Sequence, residues 1–165
     1  MERVDEIGHI FKRDVEITVS RYLSTPLIQF LKATTRDEAL HELVHNLDKA
    51  GKLIHQDEFL HAIFEREKLV STGIGLGVAI PHAKLEGYRD FFIAIGIQTA
   101  KGLEWHSLDG APVRLIFMIG GPSDRQTDYL KILSRLTLAI KNEELRLQML
   151  KARTSQEVLE LFEGW

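Results

Sequence analysis

The chain has 165 residues, of which 44% are hydrophobic and 27% are charged, with a formal net charge of −3 and no cysteine. These proportions are those of an ordinary globular protein, and the length is enough for one domain with a sizeable core. The slightly acidic balance disfavours nucleic-acid binding through a basic surface, and the absence of cysteine excludes disulfides, thiolate metal sites and a cysteine nucleophile.

The chain begins with a charged segment rather than with an apolar signal sequence. Residues 1–6 are mostly charged, and no uncharged apolar run approaches the length needed to span a membrane. We therefore expect a cytoplasmic protein that does not insert into a membrane. No internal repeat or linker divides the sequence, which predicts one domain over residues 1–165, with residues 1–27 as a candidate N-terminal extension.

The first predicted elements are a short strand and two helices. Residues 27–31 are apolar enough to open a β-sheet, and Thr35 with a glutamate three residues later forms a capping box. Apolar residues then keep helical spacing until Gly51 ends the helix. A second helix is predicted over residues 57–68, and its C-terminal end carries Arg66.

Three later segments have the length and composition of buried strands. They are residues 77–80, 91–98 and 113–120. The last third of the chain is predicted to be helical, because an apolar stripe begins near Arg125, and Asn142 and Thr154 are candidate N-caps of two shorter helices. Helices before, between and after the strands predict a sheet that is covered by helices on both faces.

The most informative segment is glycine-rich and ends on a histidine. Residues 71–82 are Ser-Thr-Gly-Ile-Gly-Leu-Gly-Val-Ala-Ile-Pro-His, and the three glycines can adopt positive φ and turn backbone N–H groups toward an anion. Pro81 interrupts strand hydrogen bonding, so we expect His82 to emerge at the end of a strand. An imidazole beside oriented N–H donors suits a phosphohistidine carrier, because the neutral ring nitrogen attacks phosphorus while the amides hold the oxygens.

Two other interpretations of the histidines stay open. A histidine after a strand is commonly a surface residue, and alternating glycines also mark tight turns. The segment His41-Glu42-Leu43-Val44-His45 matches the H-E-x-x-H motif, in which two histidines bind zinc and the glutamate is the base. No downstream histidine or glutamate has the spacing of a third ligand, and both histidines flank the apolar face of the helix. Solvated helix residues explain them better, and a zinc hydrolase is the distant alternative.

Several segments resemble one known protein family when they are taken together. The most specific is the block from Arg66 to His82, continued by residues 83–87, Ala-Lys-Leu-Glu-Gly; residues 31–40 and 108–117 add weaker similarity. The family is the enzyme IIA domains of the bacterial phosphotransferase system, mannitol/fructose class, and the nitrogen-regulatory branch fits best. From about residue 28 to the C-terminus, the order of predicted elements is similar to that of the family.

The resemblance implies a fold and a set of site residues. The fold is an α+β protein, an α/β/α sandwich with a mixed sheet of about four to five strands. His82 is the residue phosphorylated at Nε2, Arg66 is the nearby cation, and Thr72 and Gly75 of the glycine-rich segment are further groups that stabilise the phosphoryl group. Many members carry a second active-site histidine where this chain has Tyr129, which can donate a hydrogen bond but cannot supply a positive charge. The arrangement requires no metal or cofactor.

The implied function is that of a phosphocarrier. We expect His82 to accept a phosphoryl group from an HPr-type donor protein or its nitrogen-branch counterpart. The preferred interpretation is a nitrogen-regulatory enzyme IIA that controls a target protein, because of residues 84–87, Lys-Leu-Glu-Gly, and because no sugar-binding or membrane domain is attached. The alternative is a sugar-specific enzyme IIA, for fructose or mannitol, that passes the phosphoryl group to a separate enzyme IIB. No nucleic-acid partner is expected.

Overall fold

The computed structural model describes residues 17–165, and the first part of the expected N-terminal extension, residues 1–16, lies outside the described residues. The described part contains five α-helices and one six-stranded sheet. The helices are α1 (Arg36–Lys49), α2 (Gln56–Leu69), α3 (Gln126–Lys141), α4 (Glu143–Lys151) and α5 (Ser155–Leu161). The strands are β1 (Ile28–Phe30), β2 (Gly73–Gly75), β3 (Val78–Ala79), β4 (His82–Leu85), β5 (Phe92–Ile97) and β6 (Leu115–Pro122).

The sheet is mixed and is organised around β6. Strand β6 pairs antiparallel with β5 on one side, and β1 is added parallel to β5 at the edge. On its other side β6 pairs in parallel with both β3 and β4, in one continuous register: Val78 lies opposite Leu115, and His82 lies opposite Ile119. Strands β3 and β4 are therefore two parts of one line of chain beside β6, interrupted at Ile80 and Pro81.

Both faces of the sheet are buried under helices, which confirms the α/β/α sandwich with a mixed sheet. Side chains alternate along β5, so that Ile93, Ile95 and Ile97 belong to one apolar cluster, which includes side chains from α3, α4 and α5. Phe92 and Ala94 point the other way and join the cluster that includes side chains from α1 and α2. Burial on both faces explains why the strand is apolar without interruption.

The structure differs from the prediction in the glycine-rich segment. The expected loop is instead a β-hairpin, in which β2 pairs antiparallel with β3 and turns at Leu76 and Gly77. His82 does not end a strand but begins β4, because the chain resumes pairing with β6 directly after Pro81. The sheet has six strands rather than four or five, because β2, β3 and β4 are too short for their hydrophobic pattern to distinguish them from loops.

The predicted helices are present, with the expected caps. Thr35 Oγ1 accepts the N–H of Glu38, Asn142 Oδ1 accepts the N–H of Leu145, and Thr154 Oγ1 accepts the N–H of Glu157. These contacts satisfy donors that an N-terminal helical turn leaves unpaired. Among residues 17–165, no helix is both long enough and apolar enough to cross a lipid bilayer.

The packing of α1 on the sheet gives a testable stability prediction. Leu43 is fully buried, and its Cδ2 atom lies 3.1 Å from the position that a Cβ on Gly96 of β5 would take. Leu43→Ala should lower the free energy of unfolding by about 2–5 kcal/mol, since it leaves a cavity under the sheet. Urea unfolding followed by circular dichroism measures this, with Leu138→Ala in α3 as the control because Leu138 is 55% exposed. Equal losses in both variants would contradict the packing described here.

Candidate functional site

The imidazole of His82 is held by one hydrogen bond at each ring nitrogen. Nδ1 lies 3.0 Å from the carbonyl oxygen of Ile80, and Nε2 lies 3.2 Å from Nε of Arg66. Because a carbonyl can only accept and a guanidinium can only donate, Nδ1 carries the proton and Nε2 presents its lone pair. The structure thus places His82 and Arg66 together and leaves the lone pair of the imidazole on Nε2.

Burial and charge keep this imidazole neutral. The half-buried position of the ring is the largest cause that lowers the pKa of His82 below its ordinary value of 6.5, because burial disfavours the charged form. The hydrogen bond to Ile80 raises the pKa, whereas the positive charges of Arg66 and Lys84 lower it further, and the carboxylate of Glu67 acts in the opposite direction. A neutral ring at physiological pH retains the Nε2 lone pair.

Arg66 reaches His82 from the last turns of α2. Its Nη1 donates to the carbonyl of Val70 at 2.9 Å, which is the residue that caps the helix. The guanidinium therefore closes the helix end with one nitrogen and contacts the histidine with another. A planar fork of donors fixed in this way can also receive the oxygens of an anion bound at Nε2.

An aromatic wall and a second cation complete the surroundings of His82. The Tyr129 ring, buried in the first turn of α3, lies 5.7 Å from the His82 ring between centroids. The Lys84 ammonium lies 4.1 Å from the centre of the Tyr129 ring, and it also donates to Gln126 Oε1. Tyr129 thus stands where the sequence placed it, and Lys84 supplies a positive charge beside it.

Sequence reasoning did not assign a role to Lys84, although a signal was available. Successive side chains of a strand point to opposite faces, so a residue two positions after His82 lies on the same face. The alternation becomes informative only once β4 is known to begin at His82. Because Pro81 interrupts the strand pattern, the sequence did not predict β4, and so it did not predict which face carries Lys84.

Thr72 lies near the site but its side chain is directed elsewhere. It is 5% exposed, and both its backbone N–H and its hydroxyl donate to the carboxylate of Glu67, the N–H at 2.7 Å. The Trp105 indole donates to the same carboxylate at 3.2 Å. The hydroxyl of Thr72 therefore belongs to a buried network rather than to the His82 surface, and Glu67 is a further residue that sequence reasoning missed.

The structure does not bring Gly75 to His82. Gly75 lies opposite Val78 in the hairpin, and the register beside β6 puts Val78 four residues before His82, on the order of 13 Å at the usual rise of a strand. The turn has its own anion, because Asp109 accepts the N–H of Leu76 at 3.0 Å. The positive φ of Gly75, +93°, therefore serves the turn.

The H-E-x-x-H segment lies on the outer side of α1. His41 and His45 are exposed, the His41 ring packs at 5.3 Å on Phe64, and Glu42 accepts the N–H of Lys32 at 3.2 Å. Within residues 17–165 there is no group of three histidine, cysteine or acidic side chains that could hold a metal ion. The described structure gives a zinc centre no third ligand.

The arrangement around His82 suits one kind of chemistry. A neutral Nε2 lone pair, a guanidinium and an ammonium lie together, with the opposite ring nitrogen fixed by a carbonyl. Such a nucleophile can attack an electrophile whose oxygens carry negative charge, and the cations can balance that charge. A phosphoryl group has these properties.

Comparisons with known proteins agree with this chemistry. The sequence profile described as "Phosphoenolpyruvate-dependent sugar phosphotransferase system, EIIA 2" matches residues 21–165. A fructose-specific EIIABC component of that system from Bacillus subtilis is 37% identical over 131 residues, which are 79% of this chain and 20% of that protein. A nitrogen regulatory protein from Bradyrhizobium diazoefficiens is 32% identical over 136 residues, 80% of this chain and 85% of that protein.

A solved structure extends the comparison to the fold. The crystal structure of nitrogen regulatory protein IIA-Ntr from Neisseria meningitidis matches with a TM-score of 0.80 and 25% identity, over 87% of this chain and 98% of that chain. The chain thus spans most of the length of both regulatory relatives, but about one fifth of the sugar-specific one.

The environment of His82 predicts a measurable titration. We expect nuclear magnetic resonance to give His82 a pKa below 6.5, and Arg66→Gln to raise it, since the guanidinium disfavours the imidazolium. The folded state then binds this proton less readily than the unfolded state. The contribution of His82 to the free energy of unfolding is therefore fully present above pH 6.5, and it is lost as the pH drops toward the pKa of the folded state. In His82→Gln, which has no imidazole, the free energy of unfolding should decrease less as the pH drops below 6.5. A pKa at or above 6.5 in the wild type would contradict the effects of burial and of the nearby cations described for this ring.

Proposed function

This chain belongs to the EIIA 2 family of the phosphoenolpyruvate-dependent sugar phosphotransferase system, and we propose that His82 is the residue on which it carries the phosphoryl group. Members of this family are phosphocarriers, so the proposal concerns the residue and the route. The single observation that carries it is the pair of hydrogen bonds at the imidazole, which leaves Nε2 unprotonated beside Arg66.

The transfer needs no proton to move in the attack. The Nε2 lone pair of His82 forms the new bond to phosphorus, while the bond between phosphorus and the donor histidine breaks and its electron pair returns to the donor ring. The Nδ1 proton stays on the hydrogen bond to Ile80, whose carbonyl stabilises the charge that develops on the ring. Arg66 turns its Nε from Nε2 to the phosphoryl oxygens as the bond forms.

Lys84 compensates for the missing second histidine. Tyr129 provides an aromatic wall at 5.7 Å from the His82 ring, which excludes water from that side. The Lys84 ammonium, held over the Tyr129 ring, is close enough for its charge to lower the pKa of His82. We assign Lys84 as the second cation that stabilises the phosphoryl group. In this proposal, Thr72 and Gly75 do not contact that group.

We propose that the physiological role is that of a nitrogen-regulatory carrier, phosphorylated by an HPr-type donor and acting on a target protein. This role is supported by the 32% identity to the nitrogen regulatory protein from Bradyrhizobium diazoefficiens and by the TM-score of 0.80 with the IIA-Ntr structure. The alternative is a sugar-specific carrier with an enzyme IIB as acceptor, which is supported by the higher identity of 37% to the fructose-specific relative. Rapid transfer from the phosphorylated chain to a fructose-type enzyme IIB would favour the alternative.

Labelling with a phosphorylated donor tests the proposed residue. His82→Ala should accept no phosphoryl group from phospho-HPr or its nitrogen-branch counterpart, because the only nucleophilic nitrogen of the site is removed. His45→Ala, on the exposed face of α1, should be labelled like the wild type. Gel autoradiography with acid and alkali treatment identifies a phosphohistidine. Acid-labile phosphate retained in a folded His82→Ala protein would place the site elsewhere.

Substitution of either cation, Arg66 or Lys84, should slow phosphoryl transfer. Arg66→Lys and Lys84→Met should each slow transfer about ten- to a hundredfold, since a charged hydrogen bond made in the transition state is worth ~1.5–3 kcal/mol. Quench-flow phosphorylation at saturating donor measures the rate. Arg36→Lys and Lys101→Met, at exposed or surface-paired positions, are the matched controls. Unchanged rates in both site variants would show that neither cation contacts the phosphoryl group.

A further inference from the structure

A buried carboxylate lies directly beside the candidate site but takes no part in the transfer. Glu67 is only 5% exposed, and it follows Arg66 in the last turns of α2. Three donors converge on it: the N–H and the hydroxyl of Thr72, and the indole Nε1 of Trp105, which is itself fully buried. The indole also lies 3.1 Å from the Thr72 hydroxyl, so the three side chains form one closed network.

This network is connected to both partners of the His82 imidazole. On one side, Glu67 is covalently joined to Arg66, whose Nε contacts the nucleophilic nitrogen. On the other side, the carbonyl of Thr72 accepts the N–H of Ile80 at 3.0 Å, and the carbonyl of Ile80 accepts the Nδ1 proton of His82. The backbones of Thr72 and Ile80 therefore connect the carboxylate network to the hydrogen bond that selects the tautomer.

Glu67 also ties together segments that are distant in sequence. The helix end that carries Arg66, the segment just before β2 at Thr72 and the loop containing Trp105 all meet at one carboxylate. Ser71 adds a second link, because its hydroxyl donates to the carbonyl of Trp105 at 2.6 Å. An acid taken out of water without such donors would be strongly unfavourable, so its position is fixed by the groups that satisfy it.

We propose that Glu67, through its bonds to Thr72 and Trp105, is a positioning residue that holds Arg66 and the carbonyl of Ile80 in register on the two nitrogens of His82. The proposal rests on His82 being the phosphoryl acceptor. Glu67 does not touch the transferred group; it acts through Arg66 on one side and through Thr72 and Ile80 on the other. Losing its bonds should loosen the imidazole without exposing the site surface that a donor protein meets.

The test compares Glu67→Gln with Glu65→Gln. Glutamine keeps the shape but replaces one acceptor oxygen by an NH₂ group that faces the donors. Glu65 is on the same helix, is exposed and pairs with Lys68, so its variant loses the same charge outside the network. Trp105→Phe is the second site variant, because it removes the indole donor and keeps an aromatic ring in the core. Thermal unfolding selects the variants that remain folded.

Two readouts separate positioning from a purely structural role. Nitrogen-15 spectra of unphosphorylated protein at about pH 7.5, where the ring is neutral, should show the Nδ1–H tautomer as dominant in the wild type and as a mixture in Glu67→Gln. Quench-flow should show the maximal transfer rate of Glu67→Gln falling about tenfold, with KM for the donor unchanged within about twofold. Trp105→Phe should shift both readouts in the same direction by less, and Glu65→Gln should match the wild type.

Each outcome decides the proposal. Folded Glu67→Gln and Trp105→Phe proteins with the wild-type tautomer and rate would overturn it, even if both had lost stability. If Glu67→Gln does not fold, Trp105→Phe decides alone, and wild-type values in that variant overturn the proposal. A wild-type protein that takes no phosphoryl group on His82 would instead contradict the proposed function, while the tautomer spectra would still test whether Glu67 positions the ring.

Discussion

The hydrogen bond from Nδ1 of His82 to the carbonyl of Ile80 is the interaction on which the proposed chemistry depends. Without it the ring would choose between two tautomers, and Nε2 would carry a proton for part of the time. The fold supplies the carbonyl by interrupting a strand. Ile80 and Pro81 separate β3 from β4, and the Pro81 carbonyl still accepts the N–H of Ile119, so the chain stays beside β6 while Ile80 turns to the histidine.

The electrostatics of the site follow from the same geometry. A half-buried ring with the positive charges of Arg66 and Lys84 near it remains neutral, which suits the proposed phosphoryl acceptor. The buried carboxylate of Glu67 partly balances that charge from behind. Burial lowers the pKa of Lys84, and its ammonium lies 4.1 Å from the centre of the Tyr129 ring. In the proposed function, Arg66 and Lys84 thus keep enough positive charge in the unphosphorylated protein to stabilise the two negative charges of a phosphoryl group.

The sequence predicted the parts of this arrangement that depend on local pattern or on family resemblance. The capping residues Thr35, Asn142 and Thr154 mark helix starts through local hydrogen bonds, and those helices form as expected. The hairpin was not predicted because alternating glycines are as typical of a loop as of short strands such as β2 and β3. The convergence of Trp105 on Glu67 joins positions 38 residues apart, and no local pattern reports such a contact. Gly75 was assigned to the site as part of the glycine-rich segment, but the register of β2 with β3 places it opposite Val78, at the turn of the hairpin and away from His82.

The most direct test of the proposed site is to identify the ring nitrogen that carries the phosphoryl group. Correlated phosphorus-31 and nitrogen-15 spectra of the wild-type protein, labelled at its histidines and phosphorylated by an HPr-type donor, report which ring nitrogen carries phosphorus. Because the Ile80 carbonyl holds the proton on Nδ1, we expect a single phosphohistidine, at His82, with phosphorus on Nε2. Phosphorus on Nδ1, or on any histidine other than His82, would contradict it.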